Sequence, residues 1–324
     1  MLAPQASLPS YTLSFRWLIG IYAIVPIILM IMLYDSAFLG GQIRVSLPSF
    51  PDQVAIYLFL FNLPHILASF FPFMSREILT HYRKRIALGN IFIFCTFIPL
   101  YYISPWTTFL LLSVWTVFHV VFQQTGLSRM YMMTRSSIFY DYWKWVIGIF
   151  SCYLYILIYP SKIYSYLAPY KSLFIYAGML AIAILTILVM RESETHKGRL
   201  YAGMTGVLIL TSGAAFHFGY YMLAILGPRI VHDVTAFSFY IVHGMNSSKN
   251  LESDSVFRKL QVPFDVTPYI ILAISFSVGY ALTHGMAGNL SVPITIYVSL
   301  LHYYLDAFAW KKGSLLRNDI AFSY

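Results

Sequence analysis

Histidine is the residue type in this sequence whose number and placement could support chemistry. The chain has nine histidines, and ionisable side chains inside apolar segments usually mark ion paths, ligand sites or proton relays. His81 and His196 fall in basic polar stretches, where a solvated role is expected. The remaining seven lie in apolar segments and are the candidates for a functional site: His65, His119, His217, His232, His243, His284 and His302.

The elements that carry these histidines are predicted to be membrane helices. Of the 324 residues, 59% are hydrophobic and 10% are charged, with a mean hydropathy of +0.70, a balance that soluble domains do not have. We therefore predict an all-α, multi-pass integral membrane bundle that forms one transmembrane domain over residues 1–324. At about 20 apolar residues per crossing there are about ten spans. They are 14–34, 53–73, 86–104, 106–124, 143–160, 171–190, 200–226, 228–246, 268–284 and 290–310.

The positive charges indicate a topology. Every second predicted loop is basic, as the positive-inside rule expects of cytoplasmic loops, and the opposite loops carry Arg44, Lys162 and Lys171. Both termini are therefore predicted to be cytoplasmic. We attribute the net charge of +9 to this topology in a lipid bilayer. The bilayer is therefore the predicted partner, and no nucleic-acid partner is predicted. The basic residues of the cytoplasmic loops are Arg76, Arg83, Lys84, Arg85, Arg129, Arg135, Lys144, Arg191, Lys197, Arg199, Lys249, Arg258, Lys259, Lys311, Lys312 and Arg317.

Five histidines are predicted to lie near one depth, at or just cytoplasmic of the membrane midplane. Depth is counted from the outer end of each span at about 1.5 Å per residue. His65, His119 and His302 fall about 12 or 13 residues into their spans. His217 and His243 are counted from a turn at Gly227-Pro228. The interpretation is a shared metal site on five helices, and the alternative is a set of separate interhelical hydrogen bonds.

Two polar residues follow these histidines by one helical turn. Asp306 is four residues after His302, and Gln123 is four after His119, so each shares a helix face with its histidine. Asp306 is predicted to be a metal ligand, and Gln123 is a second-tier candidate. Asp306 could also serve only to orient the His302 ring.

A second group is predicted nearer the outer surface. Pro228 suits the first turn of a helix, so span 8 is predicted to begin there. Arg229 and Asp233 are spaced for an intrahelical ion pair; alternatively, Arg229 binds the carboxylate or phosphate of a lipid substrate, since its fork matches such groups. His232 stands about 16 Å along the helix from His243. His232 and Asp233 are second-tier metal candidates, and His284 is predicted to be interfacial.

The ligand types narrow the chemistry. Imidazole and carboxylate suit iron, copper, zinc and manganese, and they favour non-heme iron here, with the other metals or heme as alternatives. The first hypothesis is a membrane-embedded, metal-dependent oxidoreductase acting on a hydrophobic, lipid-like substrate, with electrons from an external donor or from the substrate. The second is a heme-binding electron-transfer protein, and the third is a metal-ion or proton-coupled transporter.

Two short segments carry a family resemblance. Leu63-Pro64-His65 and Phe216-His217-Phe218-Gly219 resemble fragments of the bacterial membrane carotene-cleaving dioxygenases, over fewer than ten residues. The resemblance implies iron and a carotenoid substrate. The HxxxH and HxxHH clusters of the membrane desaturases and hydroxylases do not occur in the sequence, which disfavours that family.

Overall fold

The computed structural model describes residues 11–48, 62–133, 137–158, 168–250, 253–284, 288–311, 313–318 and 320–323. These residues are nearly all helical, as predicted. Part of predicted span 2 (53–61) and the end of span 5 (159–160) lie outside the described residues.

The described elements follow one another in this order. They are β1 (Thr12–Ser14), α1 (Phe15–Phe38, with a 3-10 turn at Ile21–Ala23), α2 (Gln42–Ser46), α3 (Leu63–Ala68), a 3-10 turn (Phe71–Met74), α4 (Arg76–Ile103), α5 (Pro105–Met132), α6 (Ile138–Ile158), a 3-10 turn (Ala168–Tyr170), α7 (Lys171–Glu192), α8 (His196–His217), α9 (Tyr221–Lys249), α10 (Val256–Lys259), α11 (Thr267–Thr283), a 3-10 turn (Gly288–Leu290), α12 (Ser291–Ala309), α13 (Leu315–Asn318) and β2 (Ala321–Ser323).

Five of the described helices, α1, α4, α5, α7 and α8, are long and apolar enough to cross a membrane. The helices Thr267–Thr283 and Gly288–Ala309 qualify only as a pair and are bent by 109°, as in a broken span or a re-entrant loop, which makes up to six. Large apolar side chains such as Phe38, Leu173 and Leu180 are 75%, 70% and 63% exposed. The described helices are therefore compatible with a membrane protein, while ten spans and cytoplasmic termini are not confirmed.

Helix α9 corrects one sequence prediction. Span 8 was expected to begin at Pro228, but α9 runs without a break from Tyr221 and contains Pro228 in its interior. Packing explains the glycine at position 227 instead, because a Cβ added there would lie 2.9 Å from Ile28 Cδ1 of α1. Membrane helices tolerate proline because neighbouring groups satisfy the freed backbone carbonyl. The predicted turn at Gly227-Pro228 is therefore wrong.

The described residues divide into two compact units. The first unit contains the described parts of Met1–Leu18, Ala55–Phe109 and Asp233–Tyr324, and the second contains those of Ile19–Val54 and Leu110–His232. The prediction of one domain over residues 1–324 stays a prediction.

In the first unit, α11 and α12 pack against α3, and α12 also packs along α4. Ser75 is the N-cap of α4 and its hydroxyl hydrogen-bonds to Asp254, and the Glu77 amide donates to the same carboxylate at 3.1 Å. This carboxylate satisfies amides that a helix start leaves without an intrahelical partner. Strands β1 and β2 pair in parallel, with Leu13 opposite Phe322.

In the second unit, α7 packs between α6 and α8, and α8 also contacts α1. Small residues allow close approach, since Gly206 lies directly against Thr186. The same Thr186 hydroxyl accepts a 2.9 Å hydrogen bond from the fully buried Trp143 indole. These contacts fix the helices that carry the polar groups of this unit.

A buried carboxylate organises the turn that follows α1. Asp35 is fully buried and accepts hydrogen bonds from the Ile43 and Arg44 amides at 2.8 and 3.0 Å and from the Tyr220 hydroxyl at 2.8 Å. The turn includes Gly41 at φ 89°, a left-handed conformation that glycine adopts without strain. Asp35 thus links the end of α1 to the start of α9 within the second unit.

Candidate metal ligands and a small apolar cavity

His65 and Asp233 form a buried pair in the first unit. His65 Nδ1 lies 3.2 Å from Asp233 Oδ1, and the side chains are 4% and 2% exposed. A carboxylate that accepts a hydrogen bond from Nδ1–H fixes the ring orientation and leaves the Nε2 lone pair on the opposite side for a metal. This is the usual arrangement of metal-binding histidines. The sequence prediction placed Asp233 in an outer layer apart from His65, and this separation is wrong.

The second pair of the first unit is His302 and Asp306 on α12. Their closest atoms, Nδ1 and Oδ2, are 3.8 Å apart, with side chains 0% and 5% exposed. This distance exceeds a hydrogen bond. Asp306 accepts hydrogen bonds from the Tyr240 hydroxyl at 2.9 Å and from the Trp310 indole at 3.1 Å, so two donors position the carboxylate beside the imidazole.

The two pairs meet at their histidines. The His65 and His302 rings are 5.2 Å apart at their centroids, nearly perpendicular at 77°, and each ring offers a nitrogen within 4.8 Å of the other. Two imidazoles and the Asp306 carboxylate thus gather in the interior of one unit. Two histidines and one carboxylate are the ligand set of non-heme Fe(II) sites with open coordination positions.

His243 also lies in the first unit, on α9. It is 3% exposed, and its Nδ1 is 3.4 Å from the Ser247 hydroxyl one turn further along the helix. Its ring stands edge-on to Trp310 with centroids 6.4 Å apart, and Trp310 is the residue that donates to Asp306. His243 therefore supports the position of Trp310, and its predicted role as a ligand stays a prediction.

The second unit brings His119 and His232 together. The rings, on α5 and α9, are perpendicular with centroids 4.8 Å apart, and His232 is 1% exposed. The sequence prediction placed these histidines in different layers, because it counted the depth of His232 from Pro228. The helix begins seven residues earlier, so that starting point is wrong, and so is the separation of His232 from His119.

A small cavity of about 40 Å³ lies within the second unit. Side chains of α5, α6, α8 and α9 line it, and most are apolar, including Val117, Leu154, Ile158 and Ile225. Arg229 also lines the cavity and is 7% exposed. The predicted role of Arg229 in binding a lipid carboxylate or phosphate stays a prediction.

Two other histidines lie at helix ends. His217 is the last residue of α8 and its Nε2 is 3.0 Å from the Tyr176 hydroxyl of α7. Its depth was counted from the turn at Gly227-Pro228, which the structure lacks, so that count is wrong. His284 is exposed and stacks on Tyr280 with centroids 3.9 Å apart, as expected of an interfacial residue.

Sequence reasoning selected Gln123 and missed Gln124. Gln124 is 3% exposed, and its Oε1 accepts hydrogen bonds of 3.0 Å from both Tyr22 and Tyr201. The Tyr22 hydroxyl also lies 2.9 Å from Thr205 Oγ1. Neighbouring residues of a helix point about 100° apart, so spacing from His119 could not separate the two glutamines. The signal available was the two tyrosines in the facing spans.

No protein-family model, curated protein or solved structure matches this chain. The function is therefore argued from its own residues.

Proposed function

We propose that this protein is a membrane-embedded, metal-dependent oxidoreductase acting on a hydrophobic, lipid-like substrate. The observation that carries the proposal is the group in the first unit, where His65 and His302 are in ring contact and Asp306 lies 3.8 Å from His302. His65, His302 and Asp306 are the proposed ligands.

The surroundings of the three side chains support this assignment. Asp233 holds the Nδ1 edge of His65, and Tyr240 with Trp310 holds the Asp306 carboxylate. Outer partners of this kind orient ligands and are typical of metal sites. Ionisable groups buried to this degree inside apolar helices are costly to keep for packing alone.

The donor set fits non-heme iron better than the alternatives. Imidazole with carboxylate suits a transition metal and is a poor match for calcium or magnesium. Copper, zinc, manganese and heme are the competing cofactors. Iron at such a site would supply one-electron and oxygen chemistry, with electrons from an external donor or from the substrate.

The setting of the site supports a hydrophobic substrate. The helices are apolar on their exposed faces, so a molecule dissolved in the bilayer meets the protein without first entering water. We retain the ten-span topology with cytoplasmic termini as part of this proposal, since the basic residues alternate between the predicted loops.

Metal analysis tests the proposal directly. The full-length chain, purified in detergent and loaded with Fe(II) without oxygen, is expected to bind about one equivalent of iron, and His65→Gln and His302→Gln are expected to lose most of it. His284→Gln is the matched control, because His284 is exposed and stacks on Tyr280. Oxygen uptake by the loaded protein with a membrane lipid extract and a reductant tests the redox part.

The outcomes separate the alternatives. A strong visible absorption band from bound heme would replace this proposal with the electron-transfer hypothesis. Folded protein that takes up no transition metal would refute both. Full iron binding by His65→Gln and His302→Gln would show that the ligands are assigned wrongly. Thermal unfolding of every variant distinguishes a lost ligand from a lost fold.

A further inference from the structure

The outward face of α4 is basic at its start and apolar further along. Arg76, Arg83 and Lys84 are exposed, and Ile91 and Phe94, which follow on the same face, are 61% and 62% exposed. These five side chains fall within about 100° of one another around the helix axis. Helix α4 is long and apolar enough to cross a membrane, and a spanning helix changes from basic to apolar where it enters the hydrocarbon. The three basic side chains of a spanning α4 would therefore lie among the lipid headgroups.

The three cations of this face are available to a ligand. Among the described residues, the side chains of Arg76, Arg83 and Lys84 form no ion pair or cation–π contact. Arg85 differs, because it points to the other side of α4 and lies over the Phe308 ring of α12 at 5.5 Å. Arg85 therefore links two helices, whereas the three outward cations attract an anion from outside the protein.

A cleft of about 490 Å³ lies beside the start of α4. The described residues that line it are Arg76, Glu77, Thr80, His81 and Leu315. Its volume is within the range of small-molecule sites. The lining offers a guanidinium, an imidazole and a hydroxyl as hydrogen-bond donors and a carboxylate as acceptor. Because hydroxyls both donate and accept, this lining suits a neutral group with several hydroxyls better than a second negative charge.

The cleft and the outward cations are one helical turn apart. Thr80 lies four residues before Lys84 on the same face of α4, about 6 Å along the axis. A polyol esterified to a phosphate extends over this distance, with the phosphodiester at Arg83 and Lys84. Ile91 follows Lys84 by about two turns, so the acyl chains of such a molecule meet the apolar part of the face.

We propose that α4 binds an anionic phospholipid with a polyol headgroup, such as inositol or glycerol. The phosphodiester lies at Arg83 and Lys84, and the polyol occupies the cleft at Arg76 and Thr80. Arginine binds phosphate through its planar fork and lysine binds it as a point charge. The inference goes beyond the proposed function and requires neither a metal nor redox chemistry, so the two can fail separately.

Native mass spectrometry of the delipidated full-length protein in detergent tests the inference. Three lipids with the same acyl chains are compared: phosphatidylinositol, phosphatidylmethanol, which keeps the negative charge but has a methyl group in place of the polyol, and zwitterionic phosphatidylcholine. The two anionic lipids are expected to bind at least about tenfold more tightly than phosphatidylcholine. Phosphatidylinositol should bind about fivefold more tightly than phosphatidylmethanol, through hydrogen bonds in the cleft.

Two variants test the two parts of the site. Arg83→Gln/Lys84→Gln is expected to weaken the binding of both anionic lipids about tenfold or more. Thr80→Trp fills the cleft and should remove the preference for phosphatidylinositol while leaving phosphatidylmethanol binding unchanged. Arg191→Gln/Arg258→Gln is the matched control, because it removes two arginines of other predicted cytoplasmic loops, and it should bind all three lipids like wild type.

Each contrary result overturns a stated part. Equal binding of phosphatidylcholine and phosphatidylinositol would remove the anion site. Equal losses in Arg83→Gln/Lys84→Gln and in the control would show that net charge, and not this face, attracts the lipid. Unchanged phosphatidylinositol binding by Thr80→Trp would show that the polyol is not in the cleft. Equal binding of glycerophosphoinositol, which has no acyl chains, would assign the site to a soluble phosphate ester. Thermal unfolding of every variant, and retained phosphatidylmethanol binding by Thr80→Trp, distinguish a lost site from a lost fold.

Discussion

The two units use the same residue types in different ways. In the first unit, buried histidines face carboxylates, as in the pairs His65–Asp233 and His302–Asp306. In the second unit, two histidines face each other, and the buried carboxylate of Asp35 accepts two backbone amides and a phenol in a turn. A carboxylate beside an imidazole prepares a ligand, whereas a carboxylate beside amides holds the backbone. Burial of a charge is therefore not by itself a sign of chemistry.

The largest expected effect is on stability in the second unit. Replacing Asp35 by alanine leaves two backbone amides and the Tyr220 hydroxyl without their acceptor, and should cost about 3 kcal/mol or more. Asp35→Asn keeps one acceptor oxygen and should cost less. Cys152 is a buried free thiol of this unit and Cys95 is exposed, so dye labelling of Cys152 in a Cys95→Ser background during heating measures the loss. Equal melting of wild type and Asp35→Ala would contradict a structural role for this carboxylate.

A glycine in each unit gives the next comparison. A Cβ at Gly198 would lie 2.5 Å from the Met132 Cα, which is backbone, whereas one at Gly89 would meet the edge of the Tyr304 ring. A ring can rotate and a backbone in a helix cannot, so Gly198→Ala should cost about 3 kcal/mol and Gly89→Ala about 1 kcal/mol, across the range for overpacking. Thermal unfolding of the two variants in one detergent measures the difference. If Gly89→Ala were the more damaging, the ring would be as rigid as the backbone.

The role of the His65–Asp233 pair in the first unit can be tested without replacing a proposed metal ligand. Asp233→Asn takes the negative charge from behind His65 and is expected to lower metal affinity about 10- to 100-fold, as loss of an outer partner usually does. Titration with Fe(II) at fixed pH gives the affinity. Wild-type affinity in Asp233→Asn would assign the His65–Asp233 pair to packing alone.

The smallest expected effect is on the stability contributed by Asp254, which lies outside the predicted spans. The Ser75 hydroxyl first, then the Glu77 amide and the Lys259 ammonium, stabilise its charged form and lower the pKa of this carboxyl below its usual value. Its contribution to stability is thus present above the unfolded-state pKa, about 3.9, and is lost as the pH falls through the lowered folded-state pKa. Asp254→Asn should melt slightly below wild type at pH 7, and the gap should close as the pH falls below the lowered folded-state pKa. A gap that stayed constant with pH would mean that the charge does not matter.

Composition predicted the helical class, and the apolar segments around His65, His243 and His302 predicted that these side chains are buried, because apolar helices place costly polar groups inward. The partners of His65, His232 and Gln124 were not predicted, since they depend on helix rotation and on where each helix begins. Pro228 shows why: proline is typical both of a helix start and of the interior of a membrane helix. A shift of a few residues in one boundary was enough to separate His119 from His232 in the predicted layers. The contact of His65 with His302 joins two distant segments, and no periodicity within either segment encodes it.

The parallel pairing of β1 with β2 has a consequence for the order of folding. Thr12 pairs with Ala321, and Leu13 with Phe322, so two segments about 300 residues apart in the chain must meet before these strands form. The contact between His65 and His302 also joins distant segments. Contacts between distant segments form slowly, because the chain loses loop-closure entropy before the contact stabilises it. The proposed metal site is therefore expected to form late in folding, after the helices that carry its ligands.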